Sequence, residues 1–505
     1  MTTSKQTTKF PAPIYRDTVL APVFADAKRY FLDPLLEIEY AHTLMLARQG
    51  IMPEGEAALC IRALDALNRD EVRAKEYDGT FEDLFFYLEK KFAVVCGEEV
   101  AGKMHTARSR NDIDLTMYRM VLRDRLKKIL KAQLELRQLL VELASKHRAA
   151  LMPAYTHNQP AQPTTLGHYL MAYIEILERD AERVRQTYAR VNRNPLGACA
   201  ITTTGFPIDR SLTESLLGFE GLQVNSYGAI ASVDYVAESC AVLATAMLSL
   251  GRFTQDLLLW STAEFGYLRL SDAYVQISSI MPQKRNPVPL EHVRVLASRA
   301  LFEAQSVIGS LHNTPFADMN DAEDDLQPLV YTAFEDAERS LLLLAGALSE
   351  ADFNIARMAE AADKNFLPVT ELADTLVRVT GMSFHASHTI VSKAVRELSA
   401  GYDAEAMAAI IERELKVEGK TGAITNEQIR TALSAKNFVA VRQITGGPAT
   451  SALEPEIERA RQQLVVDEEW LNEMNQKLSS ANERMKQECI SLLQRSAGAI
   501  GANGS

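Results

Sequence analysis

At 505 residues the chain is long enough for two or three domains, or for one elongated helical body with smaller domains at its ends. With 47% hydrophobic and 24% charged residues it is not a disordered chain, and its formal charge of −12 argues against a nucleic-acid partner, so an anionic ligand would need cations concentrated locally. Five scattered cysteines (Cys60, Cys96, Cys199, Cys240, Cys489) show neither metal nor disulfide spacing and read as buried thiols of a reducing compartment; no signal-peptide core and no apolar run of membrane-span length is present, so the expectation is a cytoplasmic protein with no membrane partner.

Residues 1–20 are polar and proline-containing and read as an arm. Helices are expected over 24–49, where Leu35, Ile38, Ala41, Leu44 and Leu46 form a stripe stopped by Gly50, and then over 54–69 and 82–92. Residues 103–152 contain neither glycine nor proline, and Leu115, Leu122, Leu126, Ile129, Leu136 and Leu140 keep a helical period through them. A helix of thirty residues is about 45 Å long. Similar runs occupy 168–194, 229–250 and, broken only by Gly309, 290–314. Helices of that length bury their faces only against one another, and stripes wide enough for burial on two sides predict subunits packing bundle to bundle. After Pro368 further helices are expected up to 446–448, then one or two closing helices over 454–497, with 498–505 frayed. No convincing strand alternation is found. The pair His385 and His388 has the spacing of half a metal site but no third ligand, so no metal site is expected. The expected domains are 1–112, 113–365 and 366–505.

The most informative segment is Ser278-Ser279-Ile280-Met281-Pro282-Gln283-Lys284-Arg285-Asn286-Pro287. Two prolines bar a continuous helix and predict a loop entering a helix near Pro289. Its hydroxyls, one cation and one amide suit a carboxylate substrate that gains negative charge as it reacts. On local chemistry alone a proline-bounded surface loop is the other reading. At Ser109-Arg110-Asn111, before the longest helix, free N–H groups and a guanidinium could grip a carboxylate, or simply cap the helix.

The 278–287 segment resembles the signature of the fumarase/aspartase superfamily. His105-Thr106-Ala107-Arg108-Ser109-Arg110-Asn111-Asp112 resembles its argininosuccinate lyase branch, as do Met152-Pro153-Ala154-Tyr155-Thr156-His157 with Gln162-Pro163, and Pro195-Leu196-Gly197 with Phe206-Pro207-Ile208-Asp209-Arg210. The motifs stand in unchanged order from about residue 25 to 448. The resemblance implies an all-α fold with a long central helix bundle flanked by two smaller helical domains. It also implies a homotetramer with a twenty-helix core and active sites shared between subunits. The implied reaction is β-elimination of an N-substituted aspartate, argininosuccinate or a related compound, to fumarate and an amine, with no cofactor. By motif position Ser278 is the base, and Lys284 and Asn286 stabilise the aci-carboxylate. Ser279 binds a carboxylate, while Ser109, Arg110 and Asn111 clamp the other one. Thr156 binds substrate, His157 protonates the departing amine or holds a water, Glu291 pairs with that histidine, and Gln162 braces its loop. Arg108 ranks behind Arg110 as a binder, since one arginine of the pair can serve as structural support.

Departures concern the leaving group. Ala317, Ala322 and Asp325 stand where the branch carries tyrosine, glutamine and lysine; Val288 replaces an aspartate, Phe85 a histidine and Pro160 an arginine. Residues 317–325 are acidic, which favours a cationic leaving group. Aminopolycarboxylates such as ethylenediamine-disuccinate or iminodisuccinate are therefore alternative substrates. A non-catalytic, crystallin-like structural role is the alternative of a different class, and an adenylosuccinate lyase or aspartase ranks lower because its local motifs differ.

Overall fold

The computed structural model describes residues 10–398, 401 and 403–502, without the side chains of 499–502. Residues 10–20 are no free arm: they make helical turns that bring Tyr15, Val19 and Leu20 to the wall of a cavity, while 1–9 and 503–505 lie outside the described residues. The helix expected over 24–49 is two, Ala21–Tyr30 and Leu32–Arg48 (α1). Pro34 is the reason, since it has no N–H for the Tyr30 carbonyl and its ring crowds that oxygen. Helices Glu54–Asp65 and Leu84–Cys96 (α2) follow; Asp83 caps the latter, its Oδ1 accepting the Phe86 N–H at 3.0 Å.

The glycine-free run becomes α3, Arg110–Lys146, 37 residues. With Leu166–Val191 (α4), Asp234–Trp260 (α5), Val288–Leu311 (α6) and Gln327–Ser349 (α7) it forms a ring of five long helices, each packed on the next and α7 closing on α3. Contacts along the helices fix their directions. Tyr173 stacks on Phe253 and Arg294 donates to Gln255, which sets α4 and α6 against α5; Tyr118 and Arg125 meet Asp324 and Glu335 in the same order, so α7 runs with α3, and α3, α5 and α7 run one way with α4 and α6 the other. The sequence expectation of an all-α long-helix bundle holds. Two details differ: Ser232 and Val233 separate a short helix, Ser226–Ala231, from α5, and Gly251 and Gly309 pass within continuous helices. Helix α7 lay outside the sequence prediction.

Helix α5 corrects one detail, the absence of an apolar run of membrane-span length, being long and apolar enough to cross a bilayer by length and composition. Half of its apolar window is buried in the bundle, and it carries Glu238, Arg252 and Asp256. Leu248 and Leu259 on α5, Val295, Phe302 and Ile308 on α6, and Leu342 on α7 are exposed in the single chain. All five cysteines are free and buried.

The absence of strands is corrected as well. Leu151–Thr156 (β1) and Gln159–Thr165 (β2) form an antiparallel hairpin joining α3 to α4. Leu268–Arg269 (β3) pairs with Asp352–Phe353 (β6), and Gln276–Ile277 (β4) with Arg285–Asn286 (β5). Pro153, Pro160 and Pro163 are tolerated because a two-stranded ribbon has only edges, and they hide it from any alternation test.

Beyond Pro368 the helices Val369–Thr380, Phe384–Glu397, Ala404–Val417 and Asn426–Ala432 share a core of their own around Leu376, Ile390, Met407, Ile411 and Ile429. His385 and His388 are exposed on it. One closing helix, Thr450–Ala502 (α8), then returns along α3, α4 and the N-terminal helices. Asp467 of α8 is buried between Arg137 of α3 at 2.7 Å and Arg185 of α4 at 3.1 Å, which pins the closing helix to the bundle.

Candidate functional site

At the first turn of α3 the motif residues fall into distinct roles. Arg108 is buried and paired with equally buried Glu39, with side-chain exposures of 1% and 3% and a separation of 2.6 Å, so it supports rather than binds. Asp112 is fully buried and accepts the N–H groups of Ser109 and Gly197 at 2.8 Å and of Cys199 at 3.0 Å; burial outweighs these donors and pushes its carboxyl up to about 6. Gly197, at φ +90°, lies where a Cβ would strike the Arg210 side chain, and Arg210 donates to the carbonyls of Asn194, Pro195, Leu196 and Gln223. The 195–210 motif is thus a brace that holds the start of α3.

Arg110, the carboxylate-clamp candidate, is half-buried and already engaged by Asp83 and, at 3.2 Å, by Glu82. Ser109 Oγ donates to Asn111 Oδ1 at 3.0 Å, and Asn111 Nδ2 donates to Asp318 at 2.7 Å. Beside them lies a cavity of about 280 Å³. The sequence reading missed Asp83 and Asp114, which converge here with Glu323 and Asp324, and burial is the first cause that raises Glu323 to about 8 and moves Asp114 and Asp324 upward. The acidity of 317–325 was visible in the sequence; its meeting with two distant aspartates was not.

The other candidates sit at the opposite end of the bundle. His157 and Asn158 both have positive φ, 51° and 59°, and form the two-residue turn of the β1–β2 hairpin, which exposes Thr156 and His157 at its tip. Gln162 on β2 reaches Thr370 at 3.3 Å and ties the hairpin to the C-terminal helices. Strands β4 and β5 close the 278–284 segment into a hairpin loop instead of the plain loop expected. Within it Ser278 Oγ accepts the amides of Met281 at 3.0 Å and Ile280 at 3.4 Å. Asn286 Nδ2 donates to the Gln276 carbonyl at 3.0 Å across the base. Lys284, Ser279 and Glu291 are exposed, and among the described residues no side-chain hydrogen bond or ion pair engages Lys284. The loop also exposes Ile277 and Ile280, the latter 81% exposed.

One chain brings together the 109–111 group, and separately the hairpin and the 278–286 loop at one bundle end. It does not bring all three to one point. Helix α3 alone, 37 residues at 1.5 Å each, sets Arg110 about 55 Å from the hairpin. Among the described residues no hydrogen bond joins His157 to Glu291 or to Ser278 within the chain.

Residues 35–301 match the lyase family model, and 366–440 the argininosuccinate lyase C-terminal model. Argininosuccinate lyase 2 of Agrobacterium fabrum is 42% identical over 88% of this chain and 89% of its own length. The argininosuccinate lyase of Methanoculleus marisnigri is 38% identical over 91% and 93%. Among solved structures, EDDS lyase in complex with formate aligns with a TM-score of 0.84 at 32% identity, covering 95% of this chain and 97% of that one; a variant with bound fumarate aligns equally well. A class II fumarase from Schistosoma mansoni, 16% identical with a TM-score of 0.66 over 83% of this chain and 91% of its own, shares the fold.

Proposed function

The chain belongs to the argininosuccinate lyase family, and we propose that it works through sites assembled from neighbouring copies, each combining one Arg110 end, one His157 hairpin and one Ser278 loop. It is a carbon–nitrogen lyase that splits an N-substituted aspartate into fumarate and an amine. Argininosuccinate and ethylenediamine-disuccinate are the two reference substrates suggested by its relatives.

Ser278 removes the proton from the carbon next to one carboxylate, and the C–N bond on the adjacent carbon then breaks as the amine leaves with its electron pair. Free serine is a very weak base, so the observation that carries this assignment is the pair of backbone amides, Met281 and Ile280, aimed at its Oγ. The unpaired charge of Lys284 and the Asn286 amide, two residues apart, stabilise the doubly negative aci-carboxylate, and Ser279 hydrogen-bonds the same end of the substrate. Arg110, with Ser109 and Asn111, grips the other carboxylate; the guanidinium has donors beyond those given to Asp83 and Glu82. Thr156 contacts substrate and His157 delivers a proton to the amine, with Glu291 of a neighbouring copy fixing the imidazole and Gln162 holding the hairpin. Closure of the 278–284 loop, with Ile277 and Ile280 turning inward, excludes water.

The separation of about 55 Å along α3 supports building each site from more than one protomer. The exposed apolar residues of α5, α6 and α7 are the surface on which copies pack into a homotetramer. Five buried free thiols suit the cytoplasm. Fumarate release, followed by ultraviolet absorbance, tests the assignment: Ser278→Ala should fall at least ~10³-fold with assembly intact, and near-normal turnover removes Ser278 as the base.

A further inference from the structure

The cavity beside Arg110 is lined by far more acidic than basic side chains. Its wall gathers Asp83 from the turn before α2, Asp114 from α3, and Asp318, Glu323, Asp324 and Asp325 from the segment before α7. Among the described residues Arg110 is the only basic side chain lining it, and that guanidinium is already paired with Asp83 and Glu82. An apolar strip that includes Val19, Val23, Phe31 and Met117 runs beside these acids, and Glu82, Asn111 and Asn320 belong to the polar part of the wall. The Asp114 carboxyl has no hydrogen-bond partner among the described residues, although it faces this space. Crowding of this kind disfavours ionisation, and burial with mutual repulsion holds Asp114, Glu323 and Asp324 above the ordinary carboxylate range. A cation entering the cavity would relieve that repulsion. A metal ion is a poor candidate, because among the described residues no three acidic, histidine or cysteine side chains are placed so that they could hold one.

We propose that the amine released with fumarate bears a further positive charge and no carboxylate, so that the leaving group is an aliphatic diamine or polyamine rather than an amino acid. The proposal rests on the assignment of Arg110 to a succinyl carboxylate, which places the leaving half of the substrate against this cavity. An alkyl chain lies along the apolar wall and its distal ammonium meets the carboxyls. A leaving group with its own carboxylate would meet like charge and no unpaired cation, and like charges placed together in an interface discriminate strongly. The elimination balances without a co-reactant: the substrate loses one carbon-bound proton, the C–N bond breaks, and the departing nitrogen recovers a proton.

The test compares kcat/KM for fumarate release from N-aminoethyl-aspartate and N-aminobutyl-aspartate with that from argininosuccinate and ethylenediamine-disuccinate. The aminoalkyl aspartates should be favoured at least ~tenfold, a difference of about 1.4 kcal/mol in transition-state binding. Preference for argininosuccinate or the disuccinate overturns the proposal while leaving the lyase assignment standing. Fumarate from none of the four overturns both. Asp325→Lys, at an exposed position on the cavity rim, should shift the ratio of argininosuccinate to N-aminobutyl-aspartate upward at least ~tenfold, and an unchanged ratio removes the cavity from substrate selection.

Discussion

Replacement of Asp112 by alanine tests how the clamp end is held in place. The carboxylate is fully buried and satisfies three backbone donors, one at the start of α3 and two in the 197–199 turn. Each buried donor left without a partner costs about 1–3 kcal/mol, so three give about 3–9 kcal/mol, and water entering the space left behind brings this towards about 3–5 kcal/mol. That loss is local, so the assay is hydrogen exchange: protection of the peptide covering 195–199 should fall by two to three orders of magnitude or more, about 1.4 kcal/mol per tenfold, while the distant β1–β2 hairpin is unchanged. The pH dependence has a definite sign. The carboxyl is raised from 3.8 unfolded to about 6 folded, so between those values the folded state holds more protons and stability falls as pH rises, by at most about 3 kcal/mol. Asp112→Asn abolishes that dependence. Unchanged protection at 195–199 in Asp112→Ala would refute the pivot.

Arg110→Met should weaken fumarate binding by roughly 30-fold or more, the loss of a charged, desolvated contact of about 2–5 kcal/mol, and calorimetry giving wild-type affinity removes Arg110 as the clamp. Phe302→Glu places a charge on the exposed apolar face of α6; if copies pack there as proposed, light scattering should report a smaller species than the wild type with helix content retained, and an unchanged mass excludes that face from the proposed assembly.

The sequence made the bundle legible because a helix needs only local information: no glycine or proline from 103 to 152 and an apolar residue every three or four positions. It failed where a local signal was masked or a distant one was required. Proline in both strands hid the hairpin that presents His157, and Pro34 was passed over as the break between two helices. The ranking of Arg110 above Arg108 was made from the motif, and the fold sets Arg108 against a buried glutamate and Arg110 at a cavity. The identity of the glutamate, sixty-nine residues upstream, was not legible. Likewise the acid-rich 317–325 segment gave its sign away, but only the fold brings Asp83 and Asp114 to meet it.

The central claim is that Ser278 and His157 act on one substrate from different chains. Ser278→Ala and His157→Ala subunits, each inactive alone, should be unfolded, mixed in equal amounts and reassembled. If each site takes its serine from one protomer and its histidine from another, random mixing leaves about a quarter of sites with both, and about a quarter of wild-type fumarate release should return. No recovery in tetramers shown to contain both variants would contradict the shared site.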